Sequence, residues 1–443
     1  MKTSSPVLDA AKSFARAVCR VFPPARTLRT AYRSRQRVKY DALKHATPTE
    51  EKSIIFCAFN GDRYADSPRA IYEYLCTQPQ FDDWTFYWDV KARALDELSH
   101  VSALSRATLV VRGSAECYEV MARCKYWIYN TRVPEYVYPK DDQVYVQCWH
   151  GTPLKRLGLD IPESAQGDAT NTVAQRAELF VTDARKWTHL VSPCAFTSES
   201  LCSAFGVEKA RQRDIVLEVG YPRNDVLAQT LGAPDATERI DVLKRALGIP
   251  LDKKVLLYAP TWRDDTFAAE GTGYTFALPL DLDAMREALG DEWVVLLRLH
   301  YYIVSVLDIS AWEGFAFDVS RAEDINELYL VSDVLVTDYS SVFFDYANTG
   351  RPFIFFWPDY EHYACDLHGF YFDPHIVPAQ QATTTAELIE AVRNNDTWVA
   401  QNADAVQAFR EVFCPHDDGH AVQRVVERAI GAYEIGVNNG CLS

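Results

Sequence analysis

The sequence predicts an α/β protein built as two doubly wound domains facing a cleft, and three observations predict it. Strand-like and helix-like segments alternate along most of the chain; the alternation lapses once, around 232–238, and then restarts; and several apolar runs end in polar residues where a strand would hand over to a loop. In open α/β sheets ligands collect outside the carboxyl ends of the strands, so those polar residues are the first candidates for chemistry. A chain of 443 residues that is 48% hydrophobic can bury more than one core.

The chain opens on a basic arm. Residues 1–40 carry ten Lys and Arg against the single acid Asp9, a balance of +9 within a net charge of −16, which leaves −25 for the remainder. Phe14, Val18, Val21 and Phe22 alternate with Lys12, Arg16 and Arg20 at near-helical spacing. That pattern suits an amphipathic helix lying on an anionic membrane surface, or else a solvated tail. Nucleic acid is not an expected partner, because an acidic body repels a polyanion. No apolar stretch reaches the roughly 18 residues of a membrane span, and no signal-peptide core is present, so a cytoplasmic location is expected.

After the arm, Ser53–Asn60 reads as a buried strand, Ser67–Cys76 as a helix and Trp84–Val90 as the next strand. Ala92–Ser99 and Ala115–Cys124 read as helices, and Ala107–Val111, Tyr126–Tyr129 and Val144–Trp149 as strands. A polar stretch, Glu163–Gln175, reads as a surface loop, after which Leu190–Ala195, Glu199–Phe205 and Ile215–Val219 continue the alternation. A helix over Ile240–Leu247 ends at Gly248 with Pro250 beyond it. This sets the expected organisation as an arm (1–45), an N-terminal domain (46–245) and a C-terminal domain (246–443). In the second half, Val255–Ala259, Trp293–Leu299, Val334–Thr337 and Pro352–Trp357 read as strands; Leu282–Leu289, Ile325–Leu330, Val342–Asn348 and Ala421–Tyr433 read as helices.

Four strand ends carry reactive or charged side chains. His150 and Lys155 follow the run Val144–Trp149, and imidazole is the side chain best placed to move a proton near neutral pH. Thr261 and Arg263 follow the run beginning at Val255, and a guanidinium there can fork onto phosphate oxygens or pair with Asp264 or Asp265. Arg298 and His300, two apart, share a face; an arginine in an apolar strand needs an anion, either a ligand or an internal carboxylate. Asp338, Ser340 and Ser341 form a polar turn into a helix, where free N–H groups and hydroxyls suit a diphosphate or where Ser340 simply caps the helix. The eleven cysteines lack metal-ligand spacing, and Cys148 reads as packing rather than as a nucleophile.

Taken together, Gln147-Cys-Trp-His150-Gly151-Thr-Pro-Leu-Lys155, Ala259-Pro-Thr-Trp-Arg263, Arg298-Leu-His300, Asp333-x4-Asp338-Tyr-Ser-Ser341 and Gly350-Arg-Pro-Phe-Ile-Phe-Phe resemble the CDP-glycerol glycerophosphotransferases of teichoic-acid synthesis. The resemblance runs from about residue 50 to about 373. It implies a GT-B-like enzyme of two Rossmann-like domains, an N-terminal acceptor domain and a C-terminal domain that holds the nucleotide donor, that transfers glycerol phosphate from CDP-glycerol to an acceptor hydroxyl and releases CMP. In it His150 corresponds to the general base, His300 to a second essential histidine, and Ser340 and Ser341 to the serines at the donor phosphates. Lys155, Thr261, Arg263 and Asp338 complete the expected donor site, with Arg298 beside the chemistry. A lipid-linked acceptor and a peripheral place on the inner face of the cell membrane are expected partners of the basic arm. No cofactor is expected, and no carboxylate cluster forms a metal cage, although a divalent ion stays compatible with the sequence. Asp373-Pro-His-Ile-Val-Pro378 departs from the family's usual acidic, Pro-Gly-Pro continuation. The alternatives are a CDP-ribitol or nucleotide-sugar transferase on the same fold, and a catalytically silent relative that only binds.

Overall fold

The computed structural model describes residues 23–162, 173–261, 278–299, 308–322, 324–358, 360 and 369–431. Its first sheet contains β1 (Glu50–Cys57), β2 (Thr85–Val90), β3 (Ala107–Val111), β4 (Cys124–Tyr129), β5 (Val144–Gln147), β6 (His189–Ser192) and β7 (Val216–Glu218). All pairs are parallel, in the order β3-β2-β1-β4-β5-β6-β7. The second contains β8 (Lys254–Tyr258), β9 (Trp293–Leu297), β10 (Ala316–Asp318), β11 (Val334–Thr337), β12 (Phe353–Phe356) and β13 (Gln380–Ala382), also parallel, in the order β10-β9-β8-β11-β12-β13. Strand order reverses between β1 and β4 in one sheet and between β8 and β11 in the other, and such switch points open crevices for ligands. This is the two-domain, GT-B-like α/β architecture expected above.

The strands are continuous apolar runs because helices cover both faces. Successive side chains alternate between the two covers: Ile54 and Phe56 pack in one cluster, Ile55 and Cys57 in the opposite one. In the second sheet Val255 and Leu257 divide from Leu256 and Tyr258 in the same way.

Several strands stop short of the sequence reading, among them β1, β5 and β9 at the cleft. Phe59 and Asn60 leave β1 in the left-handed region (φ 46° and 59°), and Trp149 does the same after β5 (φ 49°). Arg298 lies one residue beyond β9, its N–H donating to the carbonyl of Tyr258 at 2.9 Å. The helix near the domain junction runs Ala236–Ala246, and its Ile240 and Leu243 pack on the C-terminal core, as does Leu227 before it. At the other end Val422, Val425 and Ile430 return to the N-terminal core, and the Tyr126 hydroxyl donates to the Ile430 carbonyl at 3.0 Å.

The proposed amphipathic segment containing Phe14, Val18, Val21 and Phe22 lies outside the described residues, as does most of the polar stretch 163–175. A helix over Pro23–Ala46 follows the first of these and packs against the N-terminal domain. Tyr40 is buried edge-on to Tyr118, and Arg33 pairs with Glu135 at 2.7 Å.

Candidate active site

The N-terminal half of the site is a set of tight turns beyond β1, β4 and β5. Asn130, just past β4, accepts the Phe59 N–H on its side-chain oxygen (2.8 Å), and the Thr131 hydroxyl accepts the Asn60 N–H (3.1 Å). These bonds hold two non-glycine residues in a conformation that costs about 1 kcal/mol or more each, a form of strain that concentrates at functional sites. Trp149 is fixed likewise: its N–H donates to the Gln147 side chain at 2.9 Å, and its indole lies edge-on to Phe205 with ring centres 4.9 Å apart.

That turn aims His150. Its ring rests on Trp149 with centres 4.3 Å apart, and Nδ1 lies 2.8 Å from the backbone carbonyl of Asn130. A carbonyl only accepts, so Nδ1 carries the proton and Nε2 keeps the lone pair in the neutral ring. The imidazole is open to the cleft yet closely ringed by protein, and that enclosure pulls its pKa below the ordinary 6.5; the Asn130 bond and Asp66 oppose the shift, while Arg223 and Arg132 reinforce it. His150 is thereby held as a free base at neutral pH. Cys148, fully buried beneath it, is driven the other way, its thiol raised well above the ordinary value, which keeps it protonated and unreactive.

The C-terminal half sits at the β8/β11 switch. The buried Asp338 carboxylate accepts the N–H of Thr261 (2.7 Å) and of Tyr339 (2.6 Å), tying the loop after β8 to the loop after β11. The Thr261 hydroxyl oxygen is buried with no hydrogen-bond partner among the described residues. Ser341 stands at the N-cap of the helix Val342–Tyr346 without using its hydroxyl to cap it, so the capping alternative does not account for that side chain. Asp338→Ala leaves two backbone donors unmatched and is expected to lower stability by about 1–3 kcal/mol, measured by urea unfolding, with weaker donor binding because both loops lose their tie.

The two halves enclose one cavity of about 320 Å³, lined by His150, Gly151, Lys155, Thr261, Ser340 and Ser341. A backbone bridge closes one side: Arg156 N–H donates to the Gly369 carbonyl (3.1 Å) and Tyr371 N–H to the Leu154 carbonyl (2.9 Å), across the domain boundary. Gly151 is glycine for want of room, since a Cβ there would lie 2.8 Å from the Ser341 hydroxyl oxygen. Rotating that hydroxyl makes space for alanine but not for valine. Gly151→Val is therefore expected to displace His150 and lower turnover by about tenfold or more, with a smaller loss for Gly151→Ala, both read by steady-state assay.

Five of the expected residues (His150, Lys155, Thr261, Ser340, Ser341) thus share one cavity, and Asp338 braces its loops from below. Arg298 does not line it. Its Nη1 donates to the carbonyls of Val319 (3.2 Å) and Ala322 (2.9 Å), with no ion pair among the described residues, and burial pushes its pKa down, helped by Arg63 and opposed by Tyr329 and Asp324. Arg263 and His300 lie outside the described residues. Among the described residues no group of three or more His, Cys, Asp or Glu is arranged to hold a metal ion.

The sequence reading passed over Arg223. It is 5% exposed, it forks onto Asp345 (Nη2 to Oδ1 3.0 Å, Nε to Oδ2 3.3 Å), and its Nη1 reaches Asp66 at 3.4 Å. Asp345 belongs to the helix that Ser341 opens, and Asn224 donates to both Asp345 and Asp417 at 3.1 Å. Gly220-Tyr-Pro-Arg-Asn-Asp225 follows β7, so the logic applied to other strand ends would have found it.

Residues 39–431 match the family described as CDP-Glycerol:Poly(glycerophosphate) glycerophosphotransferase. The teichoic acid poly(glycerol phosphate) polymerase of Bacillus subtilis is 40% identical over 87% of this chain, which spans about half (49%) of that relative's length. The teichoic acid glycerol-phosphate transferase of Staphylococcus aureus is 39% identical over 88% of this chain and 95% of its own. The solved structure of the wall teichoic acid polymerase TagF superposes with a TM-score of 0.79 at 36% identity, covering 94% of this chain and 96% of that one. A His-to-Asn variant of that polymerase has been soaked with CDPG. The common architecture and the match over nearly the whole chain lead to one assignment: the protein belongs to the CDP-glycerol:poly(glycerophosphate) glycerophosphotransferase family.

Proposed function

We propose that this chain transfers glycerol phosphate from CDP-glycerol to a hydroxyl of a lipid-linked glycan or polyol-phosphate acceptor, releasing CMP. The observation that carries the reading is the neutral His150, its tautomer fixed by Asn130, sharing one cavity with Thr261 and the Ser340–Ser341 turn of the opposite domain. Glycerol is favoured as the alditol because the relatives described above are named for glycerol phosphate.

In this mechanism His150 Nε2 takes the proton of the acceptor hydroxyl as its oxygen attacks the glycerol-bearing phosphorus in line. The bond from that phosphorus to the bridging oxygen breaks, and CMP leaves with the bridging oxygen. Thr261, Ser340 and Ser341 donate to the diphosphate, and Lys155 supplies positive charge beside it. Arg263 and His300 are assigned to the same anionic centre through the family resemblance, whereas Arg298, turned onto the Val319 and Ala322 carbonyls, takes no direct part. No metal is part of this reading, and turnover retained in EDTA is its check.

In this reading the acceptor side meets a membrane, and the exposed face of the N-terminal helix supports it. Arg35, Arg37 and Lys39 are exposed on the helix Pro23–Ala46, as are Tyr32 (58%) and Val38 (69%), a mixture suited to an anionic interface on the cytoplasmic face. No described helix is long and apolar enough to cross a membrane. Incubation with CDP-glycerol, CDP-ribitol and a nucleotide sugar in the presence of a lipid-linked primer is expected to give CMP, and a lengthened primer, from CDP-glycerol. Release of a nucleoside diphosphate, or no release from any donor, would overturn the reading.

A further inference from the structure

A second cavity, of about 640 Å³, is lined by the N-terminal domain and by Arg33 of the helix Pro23–Ala46, and it meets the first at a shared wall of Trp149, His150 and Leu157. The base therefore stands between two chambers. One is lined by the hydroxyl groups assigned to the donor; the other is lined by Arg132, Phe180, Thr182 and Lys186, among others.

The charges in the second chamber pair off with one exception. Arg33 is matched by Glu135 (2.7 Å), Arg112 by the buried Asp89, and Lys186 by Asp183 (3.7 Å). Arg132 is half-buried, and its guanidinium lies over the Phe180 ring at 4.8 Å with no hydrogen bond or ion pair among the described residues. A guanidinium partly withdrawn from water and left without an acceptor is stabilised when a ligand supplies one. Burial depresses its pKa accordingly, and Asp183 and Glu135 offset this only in part. Arg132 also stands two residues from Asn130, whose carbonyl orients His150, so one loop holds both the cation and the brace of the base.

From this arrangement we infer that the N-terminal cavity is the binding site for the growing end of a polyol-phosphate acceptor, with Arg132 forking onto its last phosphodiester so that the terminal hydroxyl meets His150 Nε2. The inference rests on the proposed transfer reaction for its acceptor class. A chain end that carries a phosphodiester has an anion one polyol away from its free hydroxyl, which suits a single cation placed beside the base. Phe180, beneath the guanidinium, keeps its plane fixed for bidentate contact.

The test uses the full chain and a synthetic glycerol-phosphate oligomer bearing no lipid, with binding followed by tryptophan fluorescence and transfer followed by CMP release. Arg132→Gln is expected to weaken oligomer binding and raise the acceptor KM by about tenfold or more, the loss of a charge-assisted contact, while the dissociation constant of CDP-glycerol stays within twofold. Arg132→Lys is expected to fall between, and Thr182→Trp, which fills the chamber and keeps its charges, to weaken the oligomer in the same way. Wild-type protein that does not bind the oligomer, or an Arg132→Gln loss that falls equally on the donor, overturns the inference. Oligomer binding that depends on Arg132 in a protein that never releases CMP instead overturns the transferase reading and leaves the site standing.

Discussion

Replacing His150 by alanine is expected to lower turnover by about 10²–10⁴, the usual contribution of a positioned general base, while CDP-glycerol binding is largely retained. Retention follows from the geometry, because the hydroxyls assigned to the donor come from the loops after β8 and β11, which Asp338 holds together without help from the imidazole. The pH profile sharpens the test. His150 titrates below 6.5 because protein encloses it, and only the neutral ring accepts a proton. The acid limb of kcat/KM is therefore expected below 6.5 and is expected to vanish in the alanine variant. The same shift links to stability. A folded-state pKa below the unfolded value adds stability that is complete above about 6.5 and is lost as pH falls through the folded value. An acid limb above 6.5, or near-normal transfer by the variant, would remove His150 from the mechanism.

The largest effect on stability is expected at Arg223. Its guanidinium is enclosed between Asp345 of the C-terminal domain and Asp66 of the N-terminal domain. Arg223→Met leaves Asp345 and Asp66 without their buried counter-charge, and removing one partner of such a pair costs about 3–5 kcal/mol. The loss is to be read as an earlier urea transition. Some of it is expected to reappear in catalysis as a raised donor KM, because Asp345 sits on the helix that Ser341 begins. Arg223→Lys keeps the charge but not the fork and is expected to recover only part of either loss. An unchanged transition in Arg223→Met would show that this network does not hold the domains together.

What the sequence determined on its own was the layering and the locations. Parallel strands covered on both faces have to be written as unbroken apolar runs, so β1, β5, β8 and β11 stood out, and the polar residues following β5, β8 and β11 marked His150, Thr261, Ser340 and Ser341. What only the tertiary structure decided was direction and partnership. Trp149 turning left-handed, Asn130 fixing the tautomer of His150, Gly151 yielding to Ser341, and Asp338 facing its own loops rather than the cavity all depend on residues distant in the chain. The same holds for charge. Arg298, expected to need an anion, is met by two carbonyls, whereas Arg132 and Arg223, unremarkable in the sequence, become a half-buried cation without an ion pair and a buried clamp once folding brings their surroundings together. Hydrophobic periodicity is a local property and is written into the chain, but the desolvation that gives a buried charge its role exists only after distant segments have closed around it.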